Sequence, residues 1–319
     1  MSDLPAAPAA DPSPLTGSGF ASPTEVPSHL DAAALARALE AGRPTGTWSL
    51  LDVDGVRCPR VQAGAGPELL CVHGLGHDAW DWAQLFVRCT MVARLTAYDL
   101  PGFGLSTKPA RRWDLGLLVR SLLAAARALP TPPVVVASSL GGHVALLAAL
   151  HEPALFSHLL LGAPGGLVEV PAPMQAMLRA YYSVDAIAQR SEAEIVGNSR
   201  RIFASPGLLV DDALAARKLA VRRSSEARAF ALPFAGVVDD VFHHVVLERL
   251  SSLRVPCTFV VGERDVVVPP DAVAAAARQH HARFVALPGV GHCPHLEVPD
   301  RFAELVRDVL VQGGRHVSG

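Results

Sequence analysis

The chain has 319 residues, and its 28 Lys and Arg against 30 Asp and Glu give a formal net charge of -2. A protein that binds nucleic acid mainly through its charge would be clearly basic, so we exclude that class and expect no nucleic-acid partner. Hydrophobic residues make up 50% of the chain and charged residues 18%, which is typical of a protein with a large packed core. The length suits one large domain, or one domain with an insertion.

The mean hydropathy of +0.29 requires a check for membrane segments. The best candidate, residues 144–168, is interrupted by His151, Glu152, Pro153 and His158, so it lacks the roughly 18 uninterrupted apolar residues of a spanning helix. The N-terminal region has neither a basic start nor an apolar core, so we expect no secretory signal and no membrane insertion. The five cysteines are widely spaced without a C-x-x-C pair, which indicates reduced thiols in a cytoplasmic protein.

The N-terminal part differs in composition from the rest of the chain. Residues 1–28 are rich in Ala, Pro and Ser, and such a stretch buries too little apolar surface to offset its ordering entropy, so we predict a flexible tail. A short helix is predicted over 30–41, with Asp31 near its start and Gly42 just after its end.

From about residue 47, short β-type runs alternate with helical patterns. The predicted strands are Trp48–Val53, Val56–Gln62, Glu68–Val72, Arg94–Tyr98, Val134–Ala137, His158–Leu161, Cys257–Val261 and Arg283–Leu287. The helical patterns lie near 80–89, 114–129, 140–151, 270–281 and 299–312. This alternation predicts an α/β fold with a mainly parallel sheet flanked by helices. It fails over 165–250, which we interpret as a helical insertion into a core formed by 29–164 and 251–319.

The most informative segment is the passage from the predicted strand Val134–Ala137 into the next helix through Ser138 and Ser139. A sharp strand-to-helix turn lifts one side chain above the sheet and aims the backbone N–H groups of the helix start at the same point. Small residues two positions before and after the raised residue let strand and helix approach closely. Ser139 is flanked in this way by Ala137 and Gly141, whereas the corresponding neighbours of Ser138 are bulky. We therefore predict Ser139 as a nucleophile.

A serine nucleophile needs a base, and the base needs an acid that orients it. His292 stands in a glycine-flanked loop just after a predicted strand and is the candidate base. Asp265 follows the strand before that one and is the candidate acid, with Glu263 as the alternative. Asp239 and Asp240 fall in the helical insertion and are less suitable.

A fourth element is the loop after the strand Glu68–Val72, with the sequence His73-Gly74-Leu75-Gly76. The backbone N–H groups of Leu75 and Leu140 are the candidate donors of an oxyanion hole. A metal site formed by His73 with His77, Asp78 and Asp81 is disfavoured, because no helical His pair or second ligand cluster supports it. We expect His73 to brace the loop, and we expect no metal and no cofactor.

These motifs together resemble the α/β-hydrolase fold superfamily, from about Trp48 to Gln312 outside the insertion. The motifs, in chain order, are His73-Gly74, Asp99-Leu100-Pro101-Gly102-Phe103-Gly104-Leu105-Ser106, Ala137-Ser138-Ser139-Leu140-Gly141-Gly142, and Asp265 followed by His292. The resemblance implies an eight-stranded sheet whose second strand is antiparallel, and a cap formed by the insertion after the sixth strand. Relatives with Asp at the nucleophile position open epoxides or remove halogens, and Ser139 argues against both reactions.

The substrate is expected to be a small molecule bound under the cap. Candidate binding residues are Met174, Met177, Tyr181, Phe230 and Phe234. A basic stretch at 217–228 is interpreted as a solvated helix face, and the alternative is that it faces a carboxylate of the substrate, as in a C–C bond hydrolase acting on a diketo acid. We favour hydrolysis of a carboxylic ester through an acyl-enzyme. The alternatives are C–C bond hydrolysis, thioester cleavage, acyl transfer or perhydrolysis on the same triad, and a non-catalytic ligand receptor on the same fold. The sequence does not define the oligomeric state.

Overall fold

A computed structural model describes residues 44–205 and 209–316, so the predicted tail and the helix over 30–41 lie outside the described residues. The strands are β1 (Thr47–Val53), β2 (Val56–Ala63), β3 (Glu68–Val72), β4 (Arg94–Tyr98), β5 (Val134–Ser138), β6 (His158–Gly162), β7 (Cys257–Gly262) and β8 (Arg283–Leu287). The helices are α1 (Ala83–Cys89), α2 (Leu115–Arg127), α3 (Leu140–His151), α4 (Ala172–Tyr181), α5 (Val184–Ala188), α6 (Glu192–Arg200), α7 (Leu209–Arg223), α8 (Ala227–Val241), α9 (Pro270–Gln279), α10 (Pro294–Glu297) and α11 (Pro299–His316). Single 3-10 turns occur at Ala79–Trp82, Pro153–Leu155 and Leu247–Ser252.

The strands form one eight-stranded sheet in the order β1-β2-β4-β3-β5-β6-β7-β8. Strand β2 pairs antiparallel with both β1 and β4, and the pairs from β4 through β8 are parallel. The predicted α/β fold and its antiparallel second strand are therefore confirmed.

The central strands are buried on both faces, and their side chains alternate between two apolar layers. In β3, Leu70 and Val72 join the layer that contains α2, α3 and α9. Leu69 and Cys71 join the opposite layer, which contains α1 and α11. This period of two explains why β3, β5, β6 and β7 are continuous apolar runs in the sequence.

Helices α4 to α8 lie between β6 and β7, where the alternation of strands and helices fails in the sequence. We call them the inserted helices. They bring cavity-lining side chains over the carboxyl ends of the central strands, beside the turns after β3 and β5. Within the described part of the chain, no helix is both long and apolar enough to cross a lipid bilayer.

Candidate active site

Ser139 occupies the turn between β5 and α3 with φ 52° and ψ -116°, a backbone conformation that residues with a side chain rarely adopt. Its backbone is held on both sides. The Ser139 N–H donates to the carbonyl oxygen of Gly162 at 2.9 Å, and the N–H of Gly165 donates to the Ser139 carbonyl oxygen at 3.0 Å. The surrounding structure thus fixes a strained residue, which is common at functional sites. Ser139 remains partly exposed, whereas Ser138 is buried.

The small residues around the turn are required by close contacts. A Cβ atom at Gly141 would lie 2.4 Å from the backbone oxygen of Val72, and one at Gly74 would lie 3.3 Å from Cβ of Ser139. Ala137 is fully buried between Val72 and Leu161 on the neighbouring strands. The turn after β5 and the turn after β3 therefore pack directly against each other.

His292 and Asp265 meet at the ends of two neighbouring strands. His292 Nδ1 lies 2.9 Å from Asp265 Oδ2, and both residues are buried. The other oxygen of Asp265 accepts the backbone N–H groups of Val267 and Val268 at 2.8 and 2.9 Å. A carboxylate held in this way favours the proton on Nδ1, which leaves Nε2 free to accept a proton. The alternative acid, Glu263, is exposed.

A cavity of about 200 Å³ brings the candidate residues together. Ser139, His292 and Leu75 all line it, and Asp265 lies behind the His292 ring. Leu140, the first residue of α3, follows Ser139 directly.

The inserted helices contribute aromatic side chains to this cavity. Three of the candidate binding residues, Tyr181, Phe230 and Phe234, line it. Met174 and Met177 do not line it; their side chains are 46% and 55% exposed. The two methionines lie on α4, the helix that also carries Tyr181.

The turn after β3 is braced by His73. Its Nε2 accepts the backbone N–H of Leu100 at 2.9 Å, which places the proton on Nδ1, and Nδ1 donates to the carbonyl oxygen of Gly74 at 2.8 Å. Burial lowers the pKa of this histidine and keeps the ring neutral. His73 thus joins the turns after β3 and β4. Among the described residues, no group of three or more His, Cys, Asp or Glu side chains could hold a metal ion.

Asp99 holds the turn after β4 in a similar way. Its two oxygens accept the backbone N–H groups of Ala79 and Leu105, each at 2.7 Å. Burial, followed by repulsion from Asp78, raises the pKa of Asp99 to about 7. A Cβ at Gly104 would lie 2.4 Å from the carboxylate, which explains the glycine in this motif.

A buried ionic cluster next to the cavity was not predicted from the sequence. Arg217 on α7 donates from Nε to both oxygens of Asp78 at 3.0 Å, and from Nη2 to Asp81 at 2.6 Å. His77 Nδ1 contacts the other oxygen of Asp81. The interpretation of 217–228 as a solvated face is wrong for Arg217, whose side chain is 6% exposed, and right for Arg228, at 71%. The acidic pair lies 136 or more positions away in the chain, so no local pattern could reveal its partner.

Comparison with known proteins agrees with this architecture. The family model described as the alpha/beta hydrolase family matches residues 69–305. A pimeloyl-[acyl-carrier protein] methyl ester esterase of Xanthomonas campestris pv. campestris is 31% identical over 248 residues, which cover 76% of this chain and 94% of the relative. An uncharacterised protein of Mycobacterium tuberculosis is 27% identical over 287 residues, which cover 82% of this chain and 80% of the relative.

The fold is also similar to solved structures. An esterase from Thermogutta terrifontis superposes with a TM-score of 0.71 at 21% identity, covering 83% of this chain and 97% of that one. Because the family model covers most of the chain, the family is established rather than inferred from single motifs. The chain belongs to the α/β hydrolase family, and it is a hydrolase.

Proposed function

We propose that this protein is a serine hydrolase that cleaves a small-molecule carboxylic ester through an acyl-enzyme. The observation that carries the proposal is the 2.9 Å contact of His292 Nδ1 with Asp265, made by a histidine that lines the same cavity as the strained Ser139. This chemistry requires a nucleophile, a base and an orienting acid, and the chain order Ser, Asp, His is the order in which the α/β-hydrolase fold supplies them.

In the proposed mechanism, Ser139 Oγ attacks the acyl carbon while His292 Nε2 takes its proton. The backbone N–H groups of Leu75 and Leu140 stabilise the oxyanion of the tetrahedral intermediate. His292, held by Asp265, then protonates the leaving alcohol, and the acyl-enzyme forms. Water attacks this ester with His292 again as base, which releases the acid and restores the Ser139 hydroxyl.

The choice of an ester rests on two observations. The relative that is 31% identical is named a methyl ester esterase. The cavity is small and lined by Tyr181, Phe230 and Phe234 from the inserted helices, which suits a compact, partly apolar acyl group. We propose that the described residues of the segment 165–250 act as a cap over a hydrolase core formed by the described residues of 29–164 and 251–319.

Replacement of each serine of the turn tests the nucleophile. We expect S139A to lower kcat for p-nitrophenyl acetate by at least about 1000-fold, because the acyl-enzyme can no longer form. S138A is the matched control and should retain kcat within about tenfold. The reverse result, with S139A active and S138A inactive, would refute the assignment.

Labelling with a fluorophosphonate probe separates an enzyme from a non-catalytic receptor. We expect wild-type protein and S138A to be labelled, and S139A to remain unlabelled, since only an activated serine reacts. Absence of labelling in the wild-type protein would favour the receptor. A panel of esters, thioesters and diketo acids then identifies the bond that is cleaved.

A further inference from the structure

The charged side chains that line the cavity, among the described residues, are basic. Two cationic side chains, Lys218 of α7 and Arg190 beside α5, line the cavity with Ser139 and His292. None of the described side chains that line it is an Asp or a Glu. A cavity with positive charge and no described carboxylate is suited to a negatively charged ligand.

Arg190 already has partners within the protein. Its Nη2 donates to the carbonyl oxygen of Tyr181 at 2.9 Å, and its guanidinium lies over the Tyr181 ring at 4.3 Å. These contacts hold the arginine against the inserted helices and account for its position without a ligand.

Lys218 has no such partners. Within the described part of the chain its ammonium group makes neither a hydrogen bond nor a salt bridge, although the residue is partly buried. The nearby carboxylates of Asp78 and Asp81 are already bonded by Arg217, the preceding residue. Burial lowers the pKa of Lys218, as expected for an ammonium group that has lost water without gaining a bonded anion. Burying a charged ammonium group without a bonded partner costs free energy, and a bound anionic ligand would offset that cost.

We propose that Lys218 binds a carboxylate of the substrate, so that the preferred ester is the half-ester of a dicarboxylic acid. This inference rests on the proposed esterase function and adds the substrate class. One free ammonium matches one negative charge, and the aromatic wall formed by Phe230 and Phe234 would accommodate the methylene chain between the two carboxyl groups. His77 beside it is neutral, because burial lowers its pKa to about 4, so it adds no second charge.

The test compares two series of p-nitrophenyl esters on the whole protein. One series contains the half-esters of succinate, glutarate, adipate, pimelate and suberate, and the other contains neutral acyl chains of equal length. At one chain length, the wild-type kcat/KM should be higher for the anionic ester. K218M should lower that value about 10- to 100-fold, mainly through KM, since a charged hydrogen bond is lost. The same variant should lower the kcat/KM of the neutral series by a smaller factor, so that the preference for the anionic ester at equal chain length is lost.

Matched variants separate recognition from structure. K218R should restore most of the preference for the anionic ester, and R228M should leave it unchanged because Arg228 is 71% exposed on the same set of helices. As a measurement on the unaltered protein, a free dicarboxylate of the preferred length should inhibit hydrolysis of a neutral ester competitively. This inhibition does not depend on whether K218M folds.

The two failures are distinguishable. If K218M lowers both series equally, or if the wild-type protein shows no preference for anionic esters and no inhibition by dicarboxylates, the role of Lys218 is wrong while the esterase function stands. If the wild-type protein hydrolyses neither series, the esterase function itself is wrong, and this inference with it.

Discussion

At the scale of single residues, Asp265 is the most constrained polar group of the candidate site. Its carboxylate accepts hydrogen bonds from His292 and from two backbone N–H groups, and the residue is buried. Both oxygens are therefore occupied before any substrate arrives, and the imidazole orientation is fixed in advance.

An amide in place of this carboxylate should remove that orientation. We expect D265N to lower kcat about 1000- to 10,000-fold. The amide nitrogen cannot accept a hydrogen bond as the carboxylate oxygen does, and the neutral amide no longer stabilises the charged imidazole. E263Q is the matched control, since Glu263 is exposed and two positions away. Steady-state kinetics with an activated ester measures both. Loss of activity in E263Q with an active D265N would exchange the roles of the two acids.

The sequence singles out the three residues of the candidate triad, but it does not reveal the ionic cluster beside them. Ser139 and Asp265 follow from local rules, a pair of small flanking residues and a position after a strand. Lys218 and Arg217 follow from no local rule, because a basic run on a helix has the same pattern whether it faces water or a buried acid. Only the tertiary contact between α7 and the segment before α1 distinguishes the two cases.

At the scale of elements, α7 is attached to the core by the buried ionic cluster of Arg217, Asp78 and Asp81. Burial disfavours the charge on Arg217, but Asp78 and Asp81 outweigh it and raise its pKa. The loss of one member leaves the remaining charges buried and unpaired, which costs more than the pair itself contributes.

We expect R217M to lower the free energy of unfolding by about 3 to 5 kcal/mol, as is usual when a buried ion pair loses one partner. The control is R301M, which breaks the exposed pair of Arg301 and Glu304, each 52% exposed, and should change stability by less than about 0.5 kcal/mol. Urea denaturation followed by circular dichroism measures both variants. Equal stabilities of R217M and R301M would show that the cluster contributes nothing to folding.

All eight strands of the sheet occur where the sequence predicts them, to within one residue at each end. Burial on both faces produces long apolar runs, and these runs are the strongest signal in a single sequence. The inserted helices could be located only as a region. Several of them bury few residues and α4 buries none, so no run of buried apolar residues marks their bounds in the sequence.

For the protein as a whole, buried histidines couple folding to pH, and His73 is one of them because burial lowers its pKa. Burial lowers the pKa values of His77, His143 and His158 to about 4, from the ordinary value of 6.5. Their contribution to stability is complete above about pH 6.5, and it decreases towards pH 4 as the unfolded chain takes up protons that the folded chain refuses. Asp99 opposes this trend, because its raised pKa of about 7 lets the folded chain hold a proton that the unfolded chain releases.

Four histidines have a lowered pKa, whereas two carboxyl groups, Asp99 and Glu68, have a raised one. We therefore expect the urea midpoint to be lower at about pH 5 than at about pH 7. The variant H158Q should lower by about one the number of protons taken up on unfolding at acidic pH. His158 is suited to this test because its Nε2 lies 3.0 Å from the hydroxyl of Thr258 and it does not line the cavity. Equilibrium denaturation at each pH provides the measurement. A midpoint that rises on acidification would mean that these histidines are protonated in the folded state.

The inserted helices are not equally well attached to the core, and this affects where substrate enters the cavity and where product leaves it. Helix α7 is attached to the core by Arg217, whereas α4 has no buried residue. Tyr181 of α4 and Val267 both line the cavity and are 40% and 50% exposed. Because the buried ionic cluster holds α7 and no buried side chain holds α4, we expect α4 to move more easily than α7. We therefore expect molecules to enter and leave between Tyr181 and Val267, while the α7 side acts as a stationary wall.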